Sequence, residues 1–289
     1  MTGRLPDFAV IGAMKCGTSS LHDQLAAREG FFMSDPKEPN FFSDDSIFER
    51  GIEWYRSLFA PARPDQICGE SSTHYTKLPT HPHACSRMRE HLEAPKLVYV
   101  LRDPIDRIVS QYVHEWTENQ VREPIDVAVR RHPRYRAYSS YARQLEPYLS
   151  AFGREAILLV AFERLVSDSD RELARICGFL GDPSARDARW RRDLPPRNLS
   201  RDRLRKSRVR SALLGLGPVQ AAKSWLPPGW RERIKARWQM RERPMLSPPV
   251  RAELEAALDL DLEVLGGWLR RPLRCSRWRD EVLGESLDW

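Results

Sequence analysis

Asp7-Phe-Ala-Val-Ile-Gly-Ala-Met-Lys-Cys-Gly-Thr-Ser-Ser-Leu21 is the stretch from which the rest of this chain is read. Phe8 to Ile11 is an apolar run, β-branched or aromatic in character and too short for a helix, which predicts a buried strand. Gly12 and Gly17 bracket a tight loop. Thr18, Ser19 and Ser20 then offer N-cap hydroxyls ahead of an amphipathic run through Leu21 and Leu25. A strand, a glycine loop and a helix N-terminus together make an anion cradle, because the free backbone N–H groups and the helix dipole both favour negative charge there.

The spacing Gly12-x4-Gly17 is that of a nucleotide P-loop, with one displacement. In the usual motif the lysine follows the second glycine and a neighbouring Ser or Thr holds magnesium. Here Thr18 takes the lysine slot and Lys15 sits inside the loop. A cation there can touch a bridging oxygen of the ligand with no metal. The loop is read as a phosphate site.

A second block, Lys96-Leu-Val-Tyr-Val-Leu-Arg-Asp-Pro-Ile-Asp-Arg-Ile-Val-Ser-Gln-Tyr112, has the same logic. Leu97 to Leu101 predicts a buried parallel strand, Arg102 stands at its carboxyl end, and Pro104 suits the first position of a helix. Arg102 and Ser110 can converge on one anion, the first through a guanidinium fork and the second through a hydroxyl. The plainer alternative pairs Arg102 with Asp103 or Asp106. Asp103 after a strand can also pass for a magnesium-holding aspartate, which keeps a kinase reading open.

Between the blocks, Phe31-Phe-Met33 predicts a short strand. The two prolines of Ser34-Asp-Pro-Lys-Glu-Pro-Asn-Phe-Phe-Ser43 keep the next segment extended, so Lys37 and Glu38 sit on a loop at a strand end, where α/β folds place ligand chemistry. Glu38 is a candidate general base, and Phe41 and Phe42 are expected to anchor the loop on the core. Residues 51–59 predict a short helix. Gln66 to Glu70 predicts another strand, leading into a polar loop whose His74 is a second candidate base.

These motifs, in this order, resemble the sulfotransferases that use 3′-phosphoadenosine 5′-phosphosulfate (PAPS). Gly12-Ala-Met-Lys-Cys-Gly-Thr-Ser-Ser-Leu21 looks like their 5′-phosphosulfate loop, and Arg102-Asp-Pro with Ser110 looks like their 3′-phosphate motif. Lys37-Glu-Pro-Asn-Phe-Phe42 and Gly69-Glu-Ser-Ser-Thr-His-Tyr75 resemble the catalytic-glutamate and Gly-Glu loops of the carbohydrate (heparan sulfate-type) branch. Ser139-Ser-Tyr-Ala-Arg-Gln-Leu145 and the strand Ala156–Phe162 with Glu163 follow the same pattern. The resemblance covers residues 7 to about 182 well and the remainder loosely.

The resemblance implies roles. Lys15 contacts the bridging oxygen and stabilises the departing phosphate without a metal. Cys16, Gly17, Thr18 and Ser19 complete the 5′-phosphate cradle, and Arg102 and Ser110 hold the 3′-phosphate. Tyr141 lies near the nucleotide, and Arg201, in Asn198-Leu-Ser-Arg201, reaches a phosphate from a segment folded over it. Glu38 takes the acceptor proton. There are departures: the heparan branch often has a basic residue where this chain has Ser71-Ser72, and Thr73-His74 resembles the catalytic histidine of cytosolic aryl sulfotransferases. Either Glu38 or His74 therefore serves as base. The product is 3′-phosphoadenosine 5′-phosphate (PAP), and the acceptor is a sugar, glycolipid or small natural product.

Composition fits this reading. The chain has 289 residues, 41% hydrophobic and 30% charged, with net charge +7, which suits an anionic ligand without indicating nucleic acid. Its five cysteines (Cys16, Cys68, Cys85, Cys177, Cys275) form no CxxC pair, pointing to reduced cytoplasmic thiols rather than disulfides or a zinc site. No signal peptide, membrane-length apolar run or repeat is visible.

Further along, Arg136 to Phe152 predicts a helix capped by Gly153, Ala156 to Phe162 a strand, and Leu173, Ile176 and Leu180 line a helix ended by Gly181. Arginines crowd residues 186–210, a solvated loop or a surface that steers an acidic acceptor. Trp230, Ile234 and Trp238 lie on one stripe, expected to pack on the core, with transient membrane-surface contact as the alternative. Pro248 to Leu265 predicts a helix ending at Gly266-Gly267.

The expectation is a single α/β domain over residues 1–289, with a P-loop-like central parallel sheet flanked by helices. Its nucleotide-binding core is 1–185, a basic loop and helical cover 186–243, and a helical C-terminal extension 244–289. The competing readings are a P-loop kinase using ATP and magnesium, and a non-enzymatic polyanion-binding protein.

Overall fold

The computed structural model describes residues 3–194, 240 and 242–289. Five strands, β1 (Phe8–Gly12), β2 (Phe31–Met33), β3 (Ile67–Ser71), β4 (Lys96–Leu101) and β5 (Ile157–Ala161), form one sheet in the order β2-β3-β1-β4-β5. Every pairing is parallel. All five residues of β1 are buried, as expected of a strand covered on both faces. The chain leaves β1 towards β2, returns through β3, and then crosses to β4, so the strand order reverses beside β1. Open parallel sheets form their ligand crevice at such a reversal, outside the carboxyl ends of the strands. The carboxyl end of β1 carries the Gly12–Gly17 loop, and that of β4 carries Arg102.

The first half contributes helices α1 (Thr18–Ala26), α2 (Asp45–Phe48), α3 (Ile52–Ser57) and α4 (Ala84–His91). After β4 come α5 (Pro104–Thr117), α6 (Ile125–Arg131), α7 (Arg134–Ala137) and α8 (Tyr141–Phe152). Beyond β5 lie α9 (Phe162–Ser167), α10 (Ser169–Leu180), α11 (Pro248–Leu269) and α12 (Trp278–Gly284). Among the described residues no helix is long and apolar enough to cross a membrane.

Three local expectations are corrected. The helix expected over Arg136–Phe152 is broken, because the fully buried Arg107 draws the chain out of helical geometry: its Nε donates to Ser139 Oγ at 2.5 Å and its Nη2 to the Tyr135 carbonyl at 2.9 Å. A buried guanidinium must be bonded, and those acceptors are more valuable to it than one continuous helix. Secondly, α1 has no side-chain cap. Gly17 occupies the N-cap position at φ +82°, and Thr18 and Ser19 already belong to the first turn. Thirdly, α11 runs through Gly266 and Gly267 to Leu269 and is terminated by Arg270 at φ +56°. A Cβ on Gly266 would lie 2.4 Å from the Arg271 carbonyl oxygen, so the glycine there permits the chain to double back against the helix.

α11 packs on α8 and α5. Asp261 of α11 accepts from the backbone N–H groups of Ala142 and Arg143 at 2.8 and 3.0 Å, so the C-terminal helix caps the start of α8. Arg201, most of the basic 186–210 stretch and the Trp230–Trp238 stripe lie outside the described residues.

Candidate active site

The loop after β1 is held in an unusual backbone course: Lys15 has φ +71° and Gly17 φ +82°. A Cβ on Gly17 would stand 2.9 Å from the Phe162 ring, so this position needs glycine for space as well as for conformation. Lys15, Gly17, Thr18 and Ser19 form one wall of a cavity of about 680 Å³ at the reversal of strand order. The first-turn N–H groups of α1 have no acceptor within the helix, which leaves them for a ligand.

Arg102 and Ser110 line the same cavity, so the structure brings them together with the Gly12–Gly17 loop. Arg102 Nη1 donates to the Lys15 carbonyl oxygen at 3.3 Å, and its guanidinium lies over the Phe162 ring, 4.7 Å from the centroid. Its Nη2 is 3.7 Å from Asp106, a loose pair, while Asp106 is bonded at 2.7 Å by Arg243. The buried Nε of Arg102 has no acceptor, an orphaned donor beside an anion pocket.

Tyr141 stands beneath this group rather than in the cavity. It is fully buried, and its hydroxyl donates to the Arg102 carbonyl oxygen at 2.6 Å. Asp103 is likewise committed to structure: its carboxylate accepts from the Asp106 N–H at 2.9 Å as the N-cap of α5, and its own N–H donates to Glu163 at 2.8 Å. Cys16 is buried, and burial pushes its thiol up to about 12, so that side chain supports the loop and does not present a thiolate.

The opposite wall carries Glu38, Thr73, His74 and Lys77. Glu38 sits at φ +58° and accepts from Lys37 Nζ at 2.7 Å and from Thr73 Oγ1 at 3.3 Å. Burial raises its carboxyl, but Lys37, Lys77 and His74 together outweigh that and hold it below the usual value. Phe41 and Phe42 are buried, Phe41 stacking on Tyr55 at 4.6 Å, and so fasten the Glu38 loop to the core. The adjoining turn is fastened through Glu70, also buried, which accepts from Tyr55, Tyr75 and Ser72.

His74 is drawn down to about 4, first by burial and then by the charges of Lys77 and His81, with Asp44 and Glu38 opposing. It is neutral at physiological pH and retains a lone pair. Asp44, His74 and His81 bring one potential metal-ligand atom each to within 4.8 Å of the others. The two imidazoles are stacked, 4.4 Å between centroids and 19° between planes. Both imidazoles also stand near the Asp44 carboxylate, His74 Nδ1 at 3.4 Å and His81 Nδ1 at 3.7 Å.

Lys77 and Phe162 belong to the cavity and carry no sequence signal for it. Lys77 reads as one more cation in a polar stretch, and Phe162 as the end of a strand. Among the described lining residues Glu38 is the only carboxylate, against the cations Lys15, Lys77 and Arg102. That charge balance, the first-turn amides and the orphaned Arg102 donor fit a ligand with a phosphate at each end.

A family model described as the sulfotransferase domain matches residues 5–207, well over half of the chain. The chain belongs to the sulfotransferase domain family. The match takes in every element that lines the cavity, including the Lys77 turn and the Phe162 helix. Among relatives, heparan sulfate glucosamine 3-O-sulfotransferase 6 of Homo sapiens is 32% identical over 188 residues, covering 62% of this chain and 53% of that protein. Heparan sulfate glucosamine 3-O-sulfotransferase 3B1 of Mus musculus is 32% identical over 192 residues, covering 62% and 46%. The chain thus spans about half the length of these relatives. Among solved structures, a sulfotransferase from Alicyclobacillus acidocaldarius superposes with a TM-score of 0.66 at 25% identity, covering 96% of this chain and 99% of that one. The sulfotransferase fold therefore extends past the family match into the C-terminal helices α11 and α12.

Proposed function

We propose that the protein transfers the sulfuryl group of PAPS to a hydroxyl of a carbohydrate or small-molecule acceptor. The observation that carries this reading is the meeting of Lys15, Arg102 and Ser110 in one cavity with Glu38, the one carboxylate among its described lining residues, across from them. The relatives named for heparan sulfate glucosamine 3-O-sulfation favour a sugar hydroxyl as the acceptor class.

When bound, PAPS supplies a sulfuryl group on a phosphate that is ready to leave. The first-turn amides of α1, with the hydroxyls of Thr18 and Ser19, hold its 5′-phosphate. Lys15 stabilises the charge that builds on the leaving oxygen, and Arg102 with Ser110 grips the 3′-phosphate. Glu38 is ionised at neutral pH because its cationic neighbours hold its carboxyl low. It takes the proton of the acceptor hydroxyl, leaving His74 as the alternative base. Alignment of the reactants and stabilisation of developing charge supply most of the acceleration.

The kinase reading loses its main residue, since Asp103 caps α5 and does not line the cavity. The test is transfer of sulfur label from PAPS to a panel of glycan and phenolic acceptors in the presence of a chelator, beside calorimetric PAP binding. Label transfer and tight metal-free PAP binding are expected. Absence of PAP binding, or magnesium-dependent phosphate transfer from ATP, would overturn the reading.

A further inference from the structure

One cation of the cavity has no part in the roles above. Lys77 stands on the wall shared with Glu38, Thr73 and His74, and its residue is only 8% exposed. Among the described residues its amine makes no ion pair within 4 Å, although the carboxylate of Glu38 acts on it through space. Lysine is rarely buried without a partner, because desolvating an ammonium is costly.

The backbone around Lys77 is fastened residue by residue. Tyr148 donates to the Tyr75 carbonyl oxygen at 2.7 Å, and Thr76 Oγ1 to the Ile11 carbonyl oxygen at 2.8 Å. The Leu78 N–H donates to Gln144 Oε1 at 2.7 Å, and Gln144 Nε2 returns a bond to the Leu78 carbonyl oxygen at 3.0 Å. Thr76 thereby ties the turn to β1, the strand that carries the Lys15 loop. A long side chain on such a fixed mount is aimed in advance, which is what a group acting on a reacting centre requires.

We propose that Lys77 is the cation that meets the sulfuryl group itself, its amine donating to the sulfuryl oxygens while Lys15 attends to the bridging oxygen. This rests on the sulfotransferase reading. In the transfer, the bond from sulfur to the bridging oxygen breaks and its electron pair stays on the phosphate. The acceptor oxygen forms the new bond to sulfur, its proton passes to Glu38, and Lys77 keeps all its protons. PAP has no sulfuryl group, so Lys77 distinguishes PAPS from PAP.

Titration supports the placement. Burial pulls the Lys77 ammonium down to about 8, Glu38, Asp44 and Glu115 pull it back, and Arg107 pushes it further down. These groups, with His74 on its own turn, are the charges that face it. The amine of the free protein is therefore about half-discharged near pH 8.

The experiment compares the full-length wild type with Lys77→Met and Lys77→Arg, reading PAPS and PAP affinity without acceptor at pH 7 and 9.5, label transfer, and the melting midpoint. In Lys77→Met, PAPS affinity is expected to fall about 10-fold and turnover at least 100-fold, with PAP affinity within 2-fold. In the wild type, PAPS but not PAP binding weakens between pH 7 and 9.5, and Lys77→Arg abolishes that difference because its charge persists. If Lys77→Met does not fold, the Lys77→Arg comparison decides alone. PAPS and PAP weakened equally would make Lys77 a nucleotide anchor and overturn the proposal. Turnover within 3-fold of wild type, or lost turnover with PAPS affinity intact, would overturn it too. A wild type that binds no PAP at all would defeat the sulfotransferase reading itself, which keeps the two failures apart.

Discussion

The guanidinium of Arg102 donates from Nη1 to the main-chain oxygen of Lys15 across 3.3 Å, joining two loops of the cavity wall whose residues lie 87 positions apart in the chain. The bond orients the arginine without using its charge on a carboxylate, and it braces a loop whose Lys15 is at positive φ. Adjacent β1 and β4 make this contact available, because each carries one of the two residues at its carboxyl end.

Replacing Arg102 by alanine removes both the brace and a phosphate donor. Charge-assisted hydrogen bonds contribute about 1.5–3 kcal/mol each, so PAP affinity should fall about 10- to 100-fold, equally with and without a chelator. Calorimetric titration of PAP checks this. Unchanged affinity would remove Arg102 from the phosphate site.

Glu38→Gln should lower turnover by at least about 100-fold while PAP affinity stays within about 3-fold, as expected of a group that acts on the acceptor proton. Glu38 is held low and His74 lies near 4, so both are unprotonated at neutral pH and an acid limb in the rate profile does not tell them apart. Mutants do. Wild-type-like turnover in Glu38→Gln with loss in His74→Ala assigns the proton to His74.

Gly17→Ala should damage the cradle in two ways. Its φ of +82° costs a residue with a side chain about 1 kcal/mol, and the added methyl meets the Phe162 ring at 2.9 Å. Displacing that ring also disturbs Arg102, which lies over it. Stability should drop by about 1–2 kcal/mol and PAP affinity by about 10-fold, measured by denaturant unfolding and calorimetry. An alanine variant matching wild type in both would show that the loop tolerates a side chain there.

His74 should give the protein an acid-side weakness. Its folded value of about 4 lies below the ordinary 6.5, so the unfolded chain takes up a proton first as pH falls. Stability is therefore lost from about pH 6.5 downward, and the loss is complete once pH is below about 4. For a side chain 28% exposed, about 1–2 kcal/mol is expected between pH 7 and 4.5. Denaturant unfolding of wild type and His74→Gln at both pH values isolates this contribution. Equal pH dependence in the two proteins would show that His74 titrates normally.

The strands, the Gly12–Gly17 loop and the Arg102 turn were legible because each is a local pattern: a short apolar run ended by a residue that cannot continue it. The break at Ser139 was not, since it answers to Arg107 on another helix. Tyr141 illustrates the same limit. Its place in the motif suggests the ligand, yet its hydroxyl is used on the Arg102 carbonyl beneath the cavity. The extent of α11 also escaped, because the glycines that usually end a helix are here needed for the close return of Arg271.

From the order of its residues alone, this protein declares a parallel sheet and the two strand-end loops that meet in its cavity, since backbone periodicity and glycine placement act over a few neighbouring positions. Folding alone decided which charges share a space: that Asp103 is used up as a helix cap, that Tyr141 lies underneath, and that Lys77 joins Glu38 in the cavity wall. Burial and through-space electrostatics depend on partners far along the chain, and those partners are chosen only when the sheet closes.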